Sequence, residues 1–122
     1  MKLVYISSPY AGDIQHNTET ARRYCRAAVN RGVIPYAPHL LFPLWMNDND
    51  PAQRKLATQM GLEMIDRVDE LWVCGETVSA GMQAEIEYAE AHSIPVIKQL
   101  YLLREREYEA GHDPSRDMKM DI

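Results

Sequence analysis

The chain has 122 residues and a mass of 14.0 kDa; 46% of its residues are hydrophobic and 25% charged, enough apolar material for one core and too much for a disordered chain. Its 13 Lys and Arg against 18 Asp and Glu give a formal charge of −5, which argues against nucleic acid as a partner. The longest apolar stretch, 33–46, is interrupted by Pro35, Pro38, His39 and Pro43 and falls short of the roughly 20 residues a membrane span needs, so no membrane association is expected.

Met1 and Lys2 lead directly into a strand-like run with no readable secretory signal, so a cytoplasmic location is the expectation. Leu3-Val4-Tyr5-Ile6, closed by Ser7-Ser8-Pro9, has the length and punctuation of a buried strand. Thr18 is placed to cap a helix whose apolar positions Ala21, Tyr24, Cys25, Ala28 and Val29 recur at helical spacing, and Gly32 ends it. Val33 to Ala37 resumes in β-forming residues, but Pro35 donates no ladder bond, which predicts an edge strand. A loop is expected over 38–49.

Asp50-Pro51-Ala52-Gln53 carries a capping residue, a proline at the first helical position and a capping-box Gln. The helix it opens puts Ala57, Gly61, Met64, Ile65 and Val68 on one face and yields at Asp69-Glu70 to the buried strand Leu71 to Cys74. After Gly75, Ser79 is placed to cap a helix over 80–92, and Ile94 to Ile97 reads as a fourth strand. This βαβαβαβ alternation predicts an α/β fold, with parallel strands joined by right-handed crossovers and helices on both sheet faces. From Arg104 onward four basic and six acidic residues predict a charged helix fraying into a tail, which divides the chain into a domain at 1–103 and a tail at 104–122. Cys25 and Cys74 form no C-x-x-C pair and read as reduced, buried thiols.

In an open parallel sheet the ligand site lies beyond the carboxyl ends of the strands, which directs attention to 7–17, 38–49 and 75–79. None matches G-x-G-x-x-G or a Walker A loop, so neither a dinucleotide cofactor nor kinase chemistry is expected. The histidines His16, His92 and His112 have no metal-ligand spacing. Glu85 is the most informative residue. On a helical wheel it falls between Met82 and Ala89 on one side and Tyr88 and His92 on the other, a carboxylate among largely apolar neighbours. The positive end of the helix dipole favours its ionised form, which makes a competent nucleophile. A surface Glu that merely complements the dipole has the same spacing.

Ser79 can be a simple cap, or its hydroxyl and the free amides of Ala80, Gly81 and Met82 can bind an anion such as phosphate. Ser7 and Ser8 are placed to donate to a polar ligand or to finish a turn. His39 is placed to stack on a planar ligand or hydrogen-bond it, or to be a half-buried loop residue. Tyr10, Phe42 and Trp45 have the aromatic surface for a nucleobase slot or for closing a core or subunit contact.

The runs LVYISSPYAGD, VDELWVCG and SAGMQAEIEYA together resemble the nucleoside 2-deoxyribosyltransferase-like superfamily, which includes deoxynucleoside 5'-monophosphate N-glycosidases, over about residues 2 to 100. The resemblance implies a Rossmann-like, flavodoxin-like three-layer sandwich with a parallel sheet of four to five strands and no cofactor. It makes Glu85, closing the G-x-x-x-E that Gly81 opens, the glycosidic nucleophile. It places Ser7, Ser8 and Tyr10 in a sugar-phosphate loop, His39 beside the base, and Ser79 and Gly81 at the phosphate of a small nucleotide or nucleoside. At position 61, where the resemblance implies a second carboxylate, this chain has Gly61, which leaves base departure unassisted unless Glu63 or a partner-subunit residue replaces it. A homo-oligomer is also expected, from the resemblance and from the apolar run Leu40, Leu41, Phe42, Leu44 and Trp45; light scattering that gives a 14 kDa monomer at micromolar concentration would contradict it.

Overall fold

A computed structural model describes residues 1–103; the charged tail expected at 104–122 lies outside them. Four strands, β1 (Leu3–Ser7), β2 (Ile34–Tyr36), β3 (Glu70–Cys74) and β4 (Val96–Gln99), form one parallel sheet in the order β2-β1-β3-β4. The connecting helices are α1 (Ile14–Asn30), α2 (Pro38–Leu41), α3 (Pro51–Ile65) and α4 (Ala80–Ala91), with a 3-10 turn at Phe42–Leu44. The fold is the expected α/β sandwich, and β2 is an edge strand.

Strand alternation divides the interior in two. Val4, Ile6, Trp72 and Cys74 face α1, where they pack with Tyr24, Ala27, Ala28 and Ala37. Tyr5, Leu71 and Val73 face α3 and α4 and pack with Ile65, Val68, Met82 and Ala89. Register is pinned at the strand starts: the Asp69 carboxylate accepts from the Leu3 amide at 2.7 Å, the Asp69 amide donates to the Leu3 carbonyl at 2.8 Å, and Lys2 pairs with Glu70 at 2.9 Å.

Two local expectations are corrected. Asp13, not Thr18, caps α1, its side chain accepting from the His16 amide at 3.1 Å, so the helix begins five residues earlier. The segment 38–49 is not one loop, because Pro38 and Pro43 sit at first-turn positions that need no N–H, the one in α2 and the other in the 3-10 turn. Asp50 caps α3 and Ser79 caps α4 as the sequence indicates. At Gly75 glycine is required twice, because φ is +89° and a Cβ would lie 2.6 Å from the Tyr24 hydroxyl.

Candidate active site

The chain reverses its direction of winding between β1 and β3, so the loops that follow these strands diverge and leave a crevice at their carboxyl ends. On the α3/α4 side of that crevice lies a cavity of about 420 Å³. Its walls come from Tyr10 after β1, His39, Phe42 and Met46 around α2, Ala57, Thr58 and Gly61 of α3, and Ser79, Gly81 and Glu85 at the start of α4.

Glu85 is 9% exposed in that cavity. Its carboxylate accepts from the Tyr5 hydroxyl on one oxygen and from the Ser7 hydroxyl, at 2.8 Å, on the other. Both donors come from β1 at i and i+2, the spacing that puts two side chains on one sheet face. Burial pushes the Glu85 carboxyl above its ordinary range while the Tyr5 and Ser7 bonds pull against that rise. The helix dipole favours the ionised form, but burial is the larger influence and the two hydroxyls are the counterweight. Tyr5 is held well above the ordinary phenol range, first by burial and then by the neighbouring carboxylate, so it keeps its proton and acts as the donor.

At the other side of the cavity the Tyr10 and His39 rings stack with centroids 4.8 Å apart and planes 22° from parallel. The expected stacking capacity of His39 is thus met on one face by a residue of the chain itself. Burial lowers the His39 imidazole, opposed by a hydrogen bond to the Ser8 backbone and by the Asp48 carboxylate, which also lines the cavity. Ser79 accepts from the Met82 amide at 3.2 Å. The amides of Ala80 and Gly81 belong to the first turn of α4, where no intrahelical acceptor exists.

The structure therefore brings Tyr10, His39, Ser79, Gly81 and Glu85 to one cavity, with Ser7 bonded to Glu85 beneath it. Ser8 faces the other way. It is 2% exposed, its hydroxyl has no partner, and it borders a separate cavity of about 280 Å³ beside α1. Tyr5 was missed by sequence reasoning, although its place two residues before Ser7 on a buried strand was the available signal. Glu63 is exposed on the outer groove of α3, away from the cavity, and does not replace the carboxylate missing at Gly61. A Cβ on Gly61 would lie 3.4 Å from the Tyr5 hydroxyl, so that hydroxyl stands over the bare backbone of α3. Of the apolar run at 40–45, Leu44 and Trp45 are 77% and 61% exposed and do not line the cavity, whereas Phe42 does. No cluster of three potential metal ligands occurs among the described residues, and no helix among them is long and apolar enough to cross a membrane.

The fold is similar to that of a 2-deoxyribosyltransferase from the psychrotolerant bacterium Bacillus psychrosaccharolyticus, with a TM-score of 0.61 at 17% identity over 79% of this chain and 70% of that one. It is also similar to a conserved protein from Enterococcus faecalis V583, with a TM-score of 0.54 at 22% identity over 80% of this chain and 62% of that one. No curated protein matches the sequence. The chain belongs to the family described as Domain of unknown function (DUF7768), whose model matches residues 2–99.

Proposed function

We propose that the protein is an N-glycosidase that cleaves the base–sugar bond of a nucleoside or deoxynucleoside 5'-monophosphate, with Glu85 as nucleophile. The observation that carries this reading is the Glu85 carboxylate, buried in a cavity large enough for a small ligand and gripped by the Tyr5 and Ser7 hydroxyls. A carboxylate fixed in this way needs no reorganisation before attacking an anomeric carbon, and its partial desolvation strengthens it as a nucleophile. The fold likeness to a 2-deoxyribosyltransferase agrees with chemistry at a glycosidic carbon. Ser79 and the amides of Ala80 and Gly81 supply the anion-binding end, which favours a 5'-phosphate over a free 5'-hydroxyl.

The test is base release from a panel of nucleosides and their 5'-monophosphates, followed by chromatography, for wild type and Glu85→Ala. Release by wild type alone is expected; equal release by both proteins ends the nucleophile assignment. A second reading, favoured by the missing carboxylate at Gly61, is a protein that binds a nucleotide or ADP-ribose-like ligand without turnover. A ligand at a hundred times its dissociation constant raises stability by about 2.7 kcal/mol, so a thermal shift with no product after long incubation selects that reading.

A further inference from the structure

A glycosidic C–N bond breaks with its electron pair on a base nitrogen, so a proton delivered to that base speeds its departure. In this chain the supply of such protons is narrow. Gly61 offers none, and Glu63 lies outside the cavity. Among the described residues lining the cavity, the titratable side chains besides Glu85 are Tyr5, Tyr10, His39, Asp48 and Arg54. Tyr5 is committed to Glu85. Burial raises the Tyr10 phenol, and a guanidinium does not release its proton in a protein.

His39 remains, on the wall of the cavity that holds Glu85. Its ring is stacked on Tyr10, and the Ser8 backbone acts on it in favour of the protonated form. The stack fixes the plane of the imidazole at the wall of the cavity. Asp48 lies close enough to act on both the His39 and Tyr10 rings. We propose that His39, supported by Asp48, is the acid that protonates the departing base in this cavity; the assignment rests on the N-glycosidase reading.

In the first step a Glu85 oxygen bonds to C1' as the C1'–N bond breaks, and the base nitrogen that receives the electron pair takes the His39 proton. A neutral base leaves. In the second step water adds to C1', returns a proton to His39, and releases the Glu85 carboxylate, so one water is consumed per bond cleaved. The titratable groups that share the cavity with His39 are Tyr5 and Tyr10 from β1 and the segment after it, Asp48 from the segment before α3, Arg54 of α3 and Glu85 of α4, and of these Asp48 acts on the ring. Activity is thus lost on the alkaline side as His39 deprotonates, below its ordinary value of 6.5, and on the acid side as Glu85 is protonated, above its ordinary 4.5. The profile is a bell with its optimum on the acid side of neutrality.

The experiment compares wild type, His39→Gln and Asp48→Asn on a deoxynucleoside 5'-monophosphate and on the 4-nitrophenyl glycoside of 2-deoxyribose 5-phosphate, whose leaving group departs as a stable anion and needs no proton. His39→Gln is expected to lose about 10²- to 10⁴-fold in kcat/KM on the nucleotide and less than about tenfold on the nitrophenyl substrate. Asp48→Asn is expected to move the alkaline limb to lower pH, because Asp48 favours the protonated ring. Equal losses on both substrates, or none on either, overturn the assignment of His39. An alkaline limb unmoved in Asp48→Asn overturns the role of Asp48, and that variant decides the question if His39→Gln does not fold. A wild-type protein inert toward both substrates instead overturns the glycosidase reading, and this assignment with it.

Discussion

The two faces of the sheet bury similar numbers of apolar side chains and do different work. Toward α1 the packed cluster is hydrocarbon, indole, thiol and a single phenol, with Val4, Ile6, Ala28 and Cys74 at 0–1% exposure. Toward α3 and α4 an apolar base of Ile65, Leu71 and Val73 gives way, at the carboxyl end of β1, to a carboxylate and its two hydroxyl donors. The same β1 residues serve both, since Val4 and Ile6 point one way and Tyr5 and Ser7 the other. One face therefore supplies stability from a largely apolar interior, with the Ser8 hydroxyl at its edge, and it supports a site on the other whose buried carboxylate the fold must carry at a cost.

The largest effect that sharpens this contrast is Ile6→Ala. Ile6 is 1% exposed and packs on the α1 side. Its truncation is expected to cost about 2–5 kcal/mol in urea unfolding, a large share of the stability of a small domain. The loss should not vary with pH between 4 and 8, and the variant that remains folded should keep the pH–activity profile of wild type. A displaced acid limb in Ile6→Ala would mean that the two faces are coupled.

Tyr5→Phe is the matching change on the other face and is expected to be smaller, because the ring stays and only the hydroxyl goes. Loss of a buried hydrogen bond to a charged group costs about 1.5–3 kcal/mol. Here the cost should depend on pH. The folded carboxyl of Glu85 lies above its ordinary 4.5, so the fold favours the protonated form; that stabilisation is fully present below the unfolded value and is lost as pH rises through the folded one. The Tyr5 bond works against the rise, so its removal pushes Glu85 further up. Unfolding of wild type and Tyr5→Phe compared at several pH values should show the deficit shrinking toward low pH, and the acid limb of activity should move to higher pH. A deficit constant across pH would show that the hydroxyl contributes packing alone.

Much of the fold was legible because its signals are local. The apolar runs at β1 and β3, the Asp50-Pro51 start of α3 and the Ser79 cap of α4 each depend on a few adjacent residues, and Pro35 placed β2 at the edge. Asp13 was missed as a cap because Thr18, equally suited, lay nearer the first apolar position. The site was less legible. Glu85 stood out as a carboxylate on an apolar helix face, but its partners are 80 and 78 residues away, and only strand alternation hinted that Tyr5 and Ser7 share its side. Ser8 carries the same chemistry as Ser7, and the pleat alone turns it to the opposite face. The Tyr10–His39 stack joins two loops that no sequence period relates.

The smallest effect concerns Gly61, where the two demands on the α3 face meet. Gly61 lies inside a helix with no positive φ, so alanine there gains about 0.5–1 kcal/mol from the lower conformational entropy of the unfolded chain and the better helix propensity. Opposing that gain, the new methyl would lie 3.4 Å from the Tyr5 hydroxyl, an ordinary contact at its close end, so the phenol need shift little if at all. Propensity then outweighs crowding, and Gly61→Ala is expected to melt a few degrees higher than wild type. The methyl also enters the cavity wall, so any displacement of Tyr5 would be read directly by Glu85 as a shift of the acid limb to higher pH, in the direction of Tyr5→Phe but smaller. Higher stability with an unmoved acid limb would show that glycine here serves neither packing nor the carboxylate and leaves room for a ligand; lower stability would show that the Tyr5 hydroxyl cannot yield and that this contact is what holds glycine at position 61.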